Sequence, residues 1–234
     1  MSDYINQLNA MKEAPEHLAK DIGDQWRTPE WLFQAVNSLY GPLVLDLFTD
    51  GQNSKCPRFY TAEDNALTQD WAARLAEIQL DMLHELPNPS IYEIQVGAYA
   101  NPPYSRKRSG DSPVTGMDFI MEKAHEERKR GAKTVWVTKS ATSDAWFPGE
   151  TATKTIFIKG RIAFEPPVWF NPSKESSKVS SAGFGASILI FDPSTDEVFP
   201  NEYISREELF AIGAPLAMLS EEEREAWIKS WEEI

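Results

Sequence analysis

The chain has 234 residues, 41% of them hydrophobic, which suits one large domain or a domain with a small appendage. A net charge of −13 weighs against a plain basic nucleic-acid binder, and a single cysteine, Cys56, excludes an internal disulfide. Nothing resembles a signal peptide or a membrane span, so the sequence predicts a cytoplasmic protein of a reducing compartment with no membrane partner.

Residues 1–24 are polar with weak helical periodicity and read as an N-terminal arm, either a peripheral helix or partly ordered. In "RTPEWLFQAVNSLYG", Thr28 is a natural N-cap and Pro29 suits the first helical position. Leu32, Ala35, Val36 and Leu39 then share one face, and Gly41 can close the helix. "LVLDLF" (43–48) predicts a buried strand, followed by a polar stretch with Gly51 as its only glycine. "TAEDNALTQDWAARLAEI" predicts a loop leading into a helix, and "IYEIQVGAYA" (91–100) the next strand. Residues 105–117 read as a loop from their Ser, Gly and Pro content. "DFIMEKAHEERKRG" predicts a helix with basic residues in its last turns, and "KTVWVTKS" another strand.

Beyond this point the pattern turns to strands, "TKTIFIKGRIAFEPP" and "GASILIF", separated by a Ser-rich loop over 171–185. "SEEEREAWIKSWEEI" opens on Ser220 and Glu223, a capping-box pattern, with Trp227, Ile228, Trp231 and Ile234 on one face. The order strand–helix–strand–helix–strand with a β-rich end predicts an α/β sheet, mostly parallel, with an antiparallel strand near the C-terminal end. The predicted organisation is an arm (1–24), a catalytic domain (25–200) and an acidic helical extension (201–234).

Charge is unevenly spread. Residues 101–140 carry nine basic and five acidic side chains, whereas 202–234 carry nine glutamates against Arg206, Arg224 and Lys229. Solvated helix faces account for most of these charges, and an acidic tail on a locally basic domain is also compatible with a polyanionic partner.

The stretch "YANPPYSR" places Asn101, Pro102, Pro103 and Tyr104 directly after a predicted strand, at the sheet end where open α/β folds bind ligands. Proline confines the residue before it, so the Asn101 side-chain oxygen and the Pro102 carbonyl can be held as neighbouring acceptors. Two such acceptors suit one planar amino group. The exocyclic amine of a nucleobase is a poor nucleophile, and acceptors that favour its tetrahedral form help most in the transition state. Tyr104 offers a face on which an extruded base can stack. The bland alternative is a stiff turn capping a strand. His17, His84 and His125 lie far apart without companion cysteines, so a structural metal site has no support.

NPPY after a strand resembles motif IV of amino-group methyltransferases that use S-adenosylmethionine. Together with "QWRTPEWLF", "LDLFTDGQNSKCPRFYTAEDNALTQDW", "VTKSATSDAWF", "KGRIAFEPP" and "GASILIFD", it resembles the phage and prophage Dam-like DNA adenine-N6 methyltransferases across most of residues 25–192. The resemblance implies a Rossmann-like methyltransferase sheet, S-adenosylmethionine as cofactor and double-stranded DNA as partner. It implies cofactor contacts at Thr28, Pro29, Asp46 and Phe48, with Asp46 alternatively a turn acid. Glu63, Asp64 and Asn65 are candidates for ribose or adenine contacts, with helix capping as the equal alternative. Arg106, Lys107 and Arg108 follow the predicted pocket, where phosphates flanking a base would lie, and Lys174 and Lys178 are weaker candidates. Trp146 and Phe147 are candidates to pack against the extruded base or the DNA, with the core as the commoner place for such aromatics. N4-cytosine and protein-glutamine methylation, and a non-catalytic acidic binding protein, stand as rival readings. The sequence leaves oligomeric state open.

Overall fold

The computed structural model describes residues 3–14, 22–85, 95–109, 111–171 and 184–220. Helix α1 spans Asp3–Glu13, and α2 spans Glu30–Tyr40. Strand β1 (Leu43–Asp46), β2 (Arg58–Phe59), a 3-10 turn (Ala66–Thr68) and α3 (Trp71–Glu85) follow. Then come β3 (Gly97–Ala100), β4 (Lys107–Ser109), β5 (Ser112–Thr115), α4 (Met117–Lys129) and β6 (Lys133–Lys139). The C-terminal part holds β7 (Lys154–Lys159), β8 (Ala186–Phe191), β9 (Glu202–Ser205) and α5 (Arg206–Ala217).

A seven-stranded sheet runs in the order β2-β1-β3-β6-β8-β7-β9. All neighbours are parallel except β8, which pairs antiparallel with both β6 and β7. This is the mostly parallel α/β sheet with one late antiparallel strand that the sequence predicts. Because side chains alternate along a strand, Ala98, Ala100, Trp136, Leu189 and Phe191 meet Trp71 and Leu75 of α3 and Ile120 and Ala124 of α4 on one face. Tyr99, Val135, Val137, Ile188 and Ile190 meet Leu32, Phe33 and Val36 of α2 and Leu209 of α5 on the other. Helix α5 lies close on α2 at Gly213, where an added Cβ would stand 1.8 Å from the Trp31 carbonyl oxygen.

Several expectations need correction. Residues 107–115 are not a loop: β4 and β5 form an antiparallel hairpin with Arg108 opposite Pro113. Its exposed, basic β4 has no hydrophobic alternation by which to announce itself. Thr28 does not cap α2; Pro29 holds the N-cap position without a side-chain bond, and the Thr28 hydroxyl is spent elsewhere. Leu39, expected on the buried face, is 41% exposed. Residue 200 is no packing boundary, since β9 pairs with β7 and α5 packs on α2 beyond it. The capping box found here is Ser205 with Glu208, at the start of α5. The pattern at Ser220–Glu223 and its aromatic face, most of the Ser-rich stretch and the first residues of the predicted 91–100 strand lie outside the described residues.

Candidate active site

Strands β1, β3 and β6 are parallel, so their C-terminal ends, Asp46, Ala100 and Lys139, share one rim of the sheet. Antiparallel β8 begins there, with Ala186 opposite Lys139. A pocket of about 920 Å³, counting the part open to solvent, has Thr28, Asp46, Asp50, Glu63, Tyr99 and Asn101 among its wall residues.

The chain leaves β3 through Asn101. The Asn101 Nδ2 donates to the Trp26 carbonyl at 2.8 Å. A carbonyl can only accept, so this bond fixes which end of the amide is nitrogen. Among the described residues no group donates to Asn101 Oδ1 or to the Pro102 carbonyl, which leaves both acceptors available. Pro102 is buried, and Pro103 lies on the pocket wall. The Tyr104 phenol oxygen accepts from the Lys139 backbone N–H at 2.7 Å. Burial raises the phenol far above its ordinary pKa, so Tyr104 stays a neutral aromatic. Its ring stands 6.1 Å from that of Trp146 and 6.5 Å from that of Phe184.

A short segment from the N-terminal side clamps this loop. Asp24 Oδ1 accepts the backbone N–H of Tyr104 at 2.9 Å and that of Ser105 at 3.2 Å. Arg27 pairs through its backbone with Glu165 (2.8 and 2.9 Å), donates from Nε to the Pro166 carbonyl at 2.7 Å, and forms an ion pair with Glu165 at 3.1 Å. The Thr28 hydroxyl meets the Tyr99 hydroxyl at 2.5 Å. Asp24 and Trp26 escaped sequence reasoning because one acts through main-chain partners far along the chain and the other through its own carbonyl. Neither mode leaves a local pattern.

The loop after β1 explains how a glycine-poor turn is held. Asp46 accepts from the Phe48 N–H (3.3 Å) and the Lys55 N–H (2.9 Å), and Asp50 Oδ1 accepts from the Gln52 and Asn53 N–H groups. The Thr49 hydroxyl donates to Asn53 Oδ1 and accepts the Gly51 N–H. Side chains thus consume main-chain donors that a glycine-rich loop would turn towards a ligand. Asp46 ties the turn through these two N–H groups, and it also lies on the pocket wall. Burial pushes its pKa up to about 7 against the lowering effect of its two N–H partners and of Lys55. Among the described residues the buried Asp50 Oδ2 has no hydrogen-bond partner. An orphaned carboxylate oxygen beside Asp46 and an exposed Glu63 suits a ligand that presents hydroxyls or positive charge.

The remaining predicted residues divide. Phe48 and Asn65 reach the wall, Asn65 while capping the 3-10 turn at φ 50° and donating to the Pro113 carbonyl at 3.0 Å. Asp64 and Pro29 are not on it, and Asp64 instead caps the turn at Thr61, 2.8 Å from its N–H. Arg106 is ion-paired with Asp118 and stacks over Phe119 at 4.7 Å. Arg108 lies over the same ring at 5.5 Å and donates to the Asp111 carbonyl. Lys107 is the half-exposed first residue of β4. Trp146 and Phe147 are half-buried against the core, with Trp146 Nε1 donating to Asp144 at 3.0 Å. Lys174 and Lys178 lie outside the described residues.

A sequence model of the family described as DNA N-6-adenine-methyltransferase (Dam) matches residues 16–216. The protein YfdM of Escherichia coli (strain K12) is 46% identical over 101 residues, 43% of this chain and 93% of its own length. The DNA N-6-adenine-methyltransferase of Escherichia phage T1 is 25% identical over 143 residues, 60% of this chain and 47% of the phage protein. Among solved structures, the Listeria monocytogenes protein lmo1582, described as a class I S-adenosylmethionine-dependent methyltransferase, aligns with a TM-score of 0.35 at 12% identity, over 91% of this chain and 74% of that one.

Proposed function

Because the chain belongs to the DNA N-6-adenine-methyltransferase (Dam) family, we propose that it binds double-stranded DNA, takes one adenine out of the helix and methylates its N6 amine at the Asn101–Tyr104 loop. Membership implies S-adenosylmethionine, which supplies an electrophilic methyl group when bound. Asp46, Asp50 and Glu63 on the pocket wall would hold its hydroxyls and its amino group, and Phe48, also on the wall, would offer its base an apolar surface.

The observation that carries the reading is the Asn101–Trp26 hydrogen bond. With Nδ2 committed, Oδ1 is the end left to receive the amine, next to an unused Pro102 carbonyl. Each acceptor takes one N–H, draws the nitrogen towards a tetrahedral shape and turns its lone pair towards the methyl group. Tyr104 supports the base by stacking. Its phenol, tied to the Lys139 N–H, keeps the ring in place as the base arrives.

The test is incubation with labelled S-adenosylmethionine and, separately, unmethylated DNA, RNA and a protein lysate, followed by analysis of the modified nucleosides and residues. The expected product is N6-methyladenine in DNA, lost in Asn101→Ala. Label confined to RNA or protein, N4-methylcytosine in the DNA, or no transfer at all, would remove the reading.

A further inference from the structure

Lys139, to which the sequence reading gave no role of its own, ends β6 on the rim that carries Asn101. Its Nζ stands 4.0 Å from the centre of the Tyr104 ring and 4.9 Å from that of Phe184. Among the described residues it forms no ion pair. Several arginines of the chain are, by contrast, ion-paired. Arg106 spends its charge on Asp118, Arg128 on Asp196, and Arg130 on Asp70 and Glu127. In a chain of net charge −13, a cation beside the loop that is matched only by aromatic rings is available to a new anion.

The position of the ammonium matters as much as its charge. A base stacked on a ring fills the layer about 3.5–4.0 Å above it, which on one face of Tyr104 is where Nζ now sits. Ring and base cannot share that layer with the ammonium. The four-carbon stem of lysine lets the head group move while the backbone stays. The Tyr104 phenol is anchored by the main-chain N–H of residue 139, so the ring keeps its support when the side chain leaves.

We propose that the Lys139 ammonium fills the stacking layer of Tyr104 in the free protein and passes to a DNA phosphate beside the extruded adenine when the base enters. The inference rests on the reading that adenine stacks on this face of Tyr104. Lys139 is on this account a DNA-contacting and gating residue: the same DNA that delivers the base supplies the charge that clears its place.

The experiment compares wild type, Lys139→Ala and Lys139→Arg in binding to duplex DNA between about 50 and 200 mM salt. Removal of one phosphate contact lowers the slope of log Kd against log salt by about 0.9 in Lys139→Ala, and Lys139→Arg restores it. In steady-state methylation, the KM for DNA rises in Lys139→Ala by a larger factor than kcat falls. An unchanged salt slope, or a fall in kcat with unchanged KM, overturns the proposal. Thermal melting of the three proteins separates weakened DNA binding from a weakened fold. A wild-type protein that binds DNA without methylating it removes the adenine reading and with it the gating role, while the slope comparison still decides whether Lys139 contacts a phosphate, because that comparison needs binding alone.

Discussion

Asp24 accepts the backbone N–H of Tyr104 at 2.9 Å across a separation of 80 residues, and so fixes from outside the loop that carries Asn101 and the two prolines. The carboxylate also takes the Ser105 N–H, which leaves neither main-chain donor of the turn unpaired. Replacing Asp24 with Ala strands both donors, at a cost of about 1–3 kcal/mol for each that stays buried. The expected result is a lowered melting temperature and at least a tenfold loss of methyl transfer. Asp24→Asn, which keeps one acceptor oxygen, is the milder variant. Equal activity of Asp24→Ala and wild type would show that the loop holds itself.

For Tyr104 the ring and the hydroxyl make separable contributions. Tyr104→Ala removes a stacking surface worth about 1–3 kcal/mol, so turnover falls by roughly one to two powers of ten while calorimetry shows unchanged S-adenosylmethionine affinity. Tyr104→Phe keeps the ring but deprives the Lys139 N–H of its acceptor. It costs about 1–3 kcal/mol of stability if that donor stays dry and spares most turnover. Collapse of cofactor affinity in Tyr104→Ala would contradict the stacking role.

The hairpin cations are not equivalent. Reversing Arg106, Lys107 and Arg108 together to Glu weakens DNA binding and flattens its salt dependence by about 0.9 for each phosphate no longer neutralised. Because Arg106 is already neutralised by Asp118, Arg106→Glu alone lowers affinity less than Arg108→Glu. An unchanged slope in the triple variant places the DNA on another surface.

Asp46 gives a pH signature. Its folded pKa is raised from 3.8 to about 7 by burial, so in that range the folded state holds a proton that the unfolded chain releases. Its contribution is fully present below about pH 4 and is lost as pH rises through about 7. Denaturant unfolding across this window should show wild-type stability falling more steeply with pH than that of Asp46→Asn. Parallel curves would mean that Asp46 is ionised in the folded protein throughout.

What can be read from the sequence follows from where each signal is stored. Strand β6 and helix α4 are legible because their periodicity and charge placement are local. NPPY is legible as the stiff exit from β3 because its pattern is compressed into four residues. The β4–β5 hairpin is hidden by its Ser, Pro and Lys composition, which an exposed strand tolerates as readily as a loop. Thr28 carries a valid capping pattern that tertiary structure overrides, drawing its hydroxyl to Tyr99. The order of the sheet and the clamp of Asp24 and Trp26 depend on partners dozens of residues away, and no window on the sequence contains both ends.

The segment from Asp24 to Thr28 bonds to Tyr99, Asn101, Tyr104, Ser105, Glu165 and Pro166, the last at a separation of 139 residues. Every one of these ties closes a long loop of chain, whose entropy must be met before the contact rewards it, and they are hydrogen bonds at the rim of the sheet rather than apolar contacts of its core. The clamp on the Asn101–Tyr104 loop is therefore expected to be a finishing step of folding. On warming, catalytic competence should fade before the sheet melts, so that a folded population measured by circular dichroism overstates the active one.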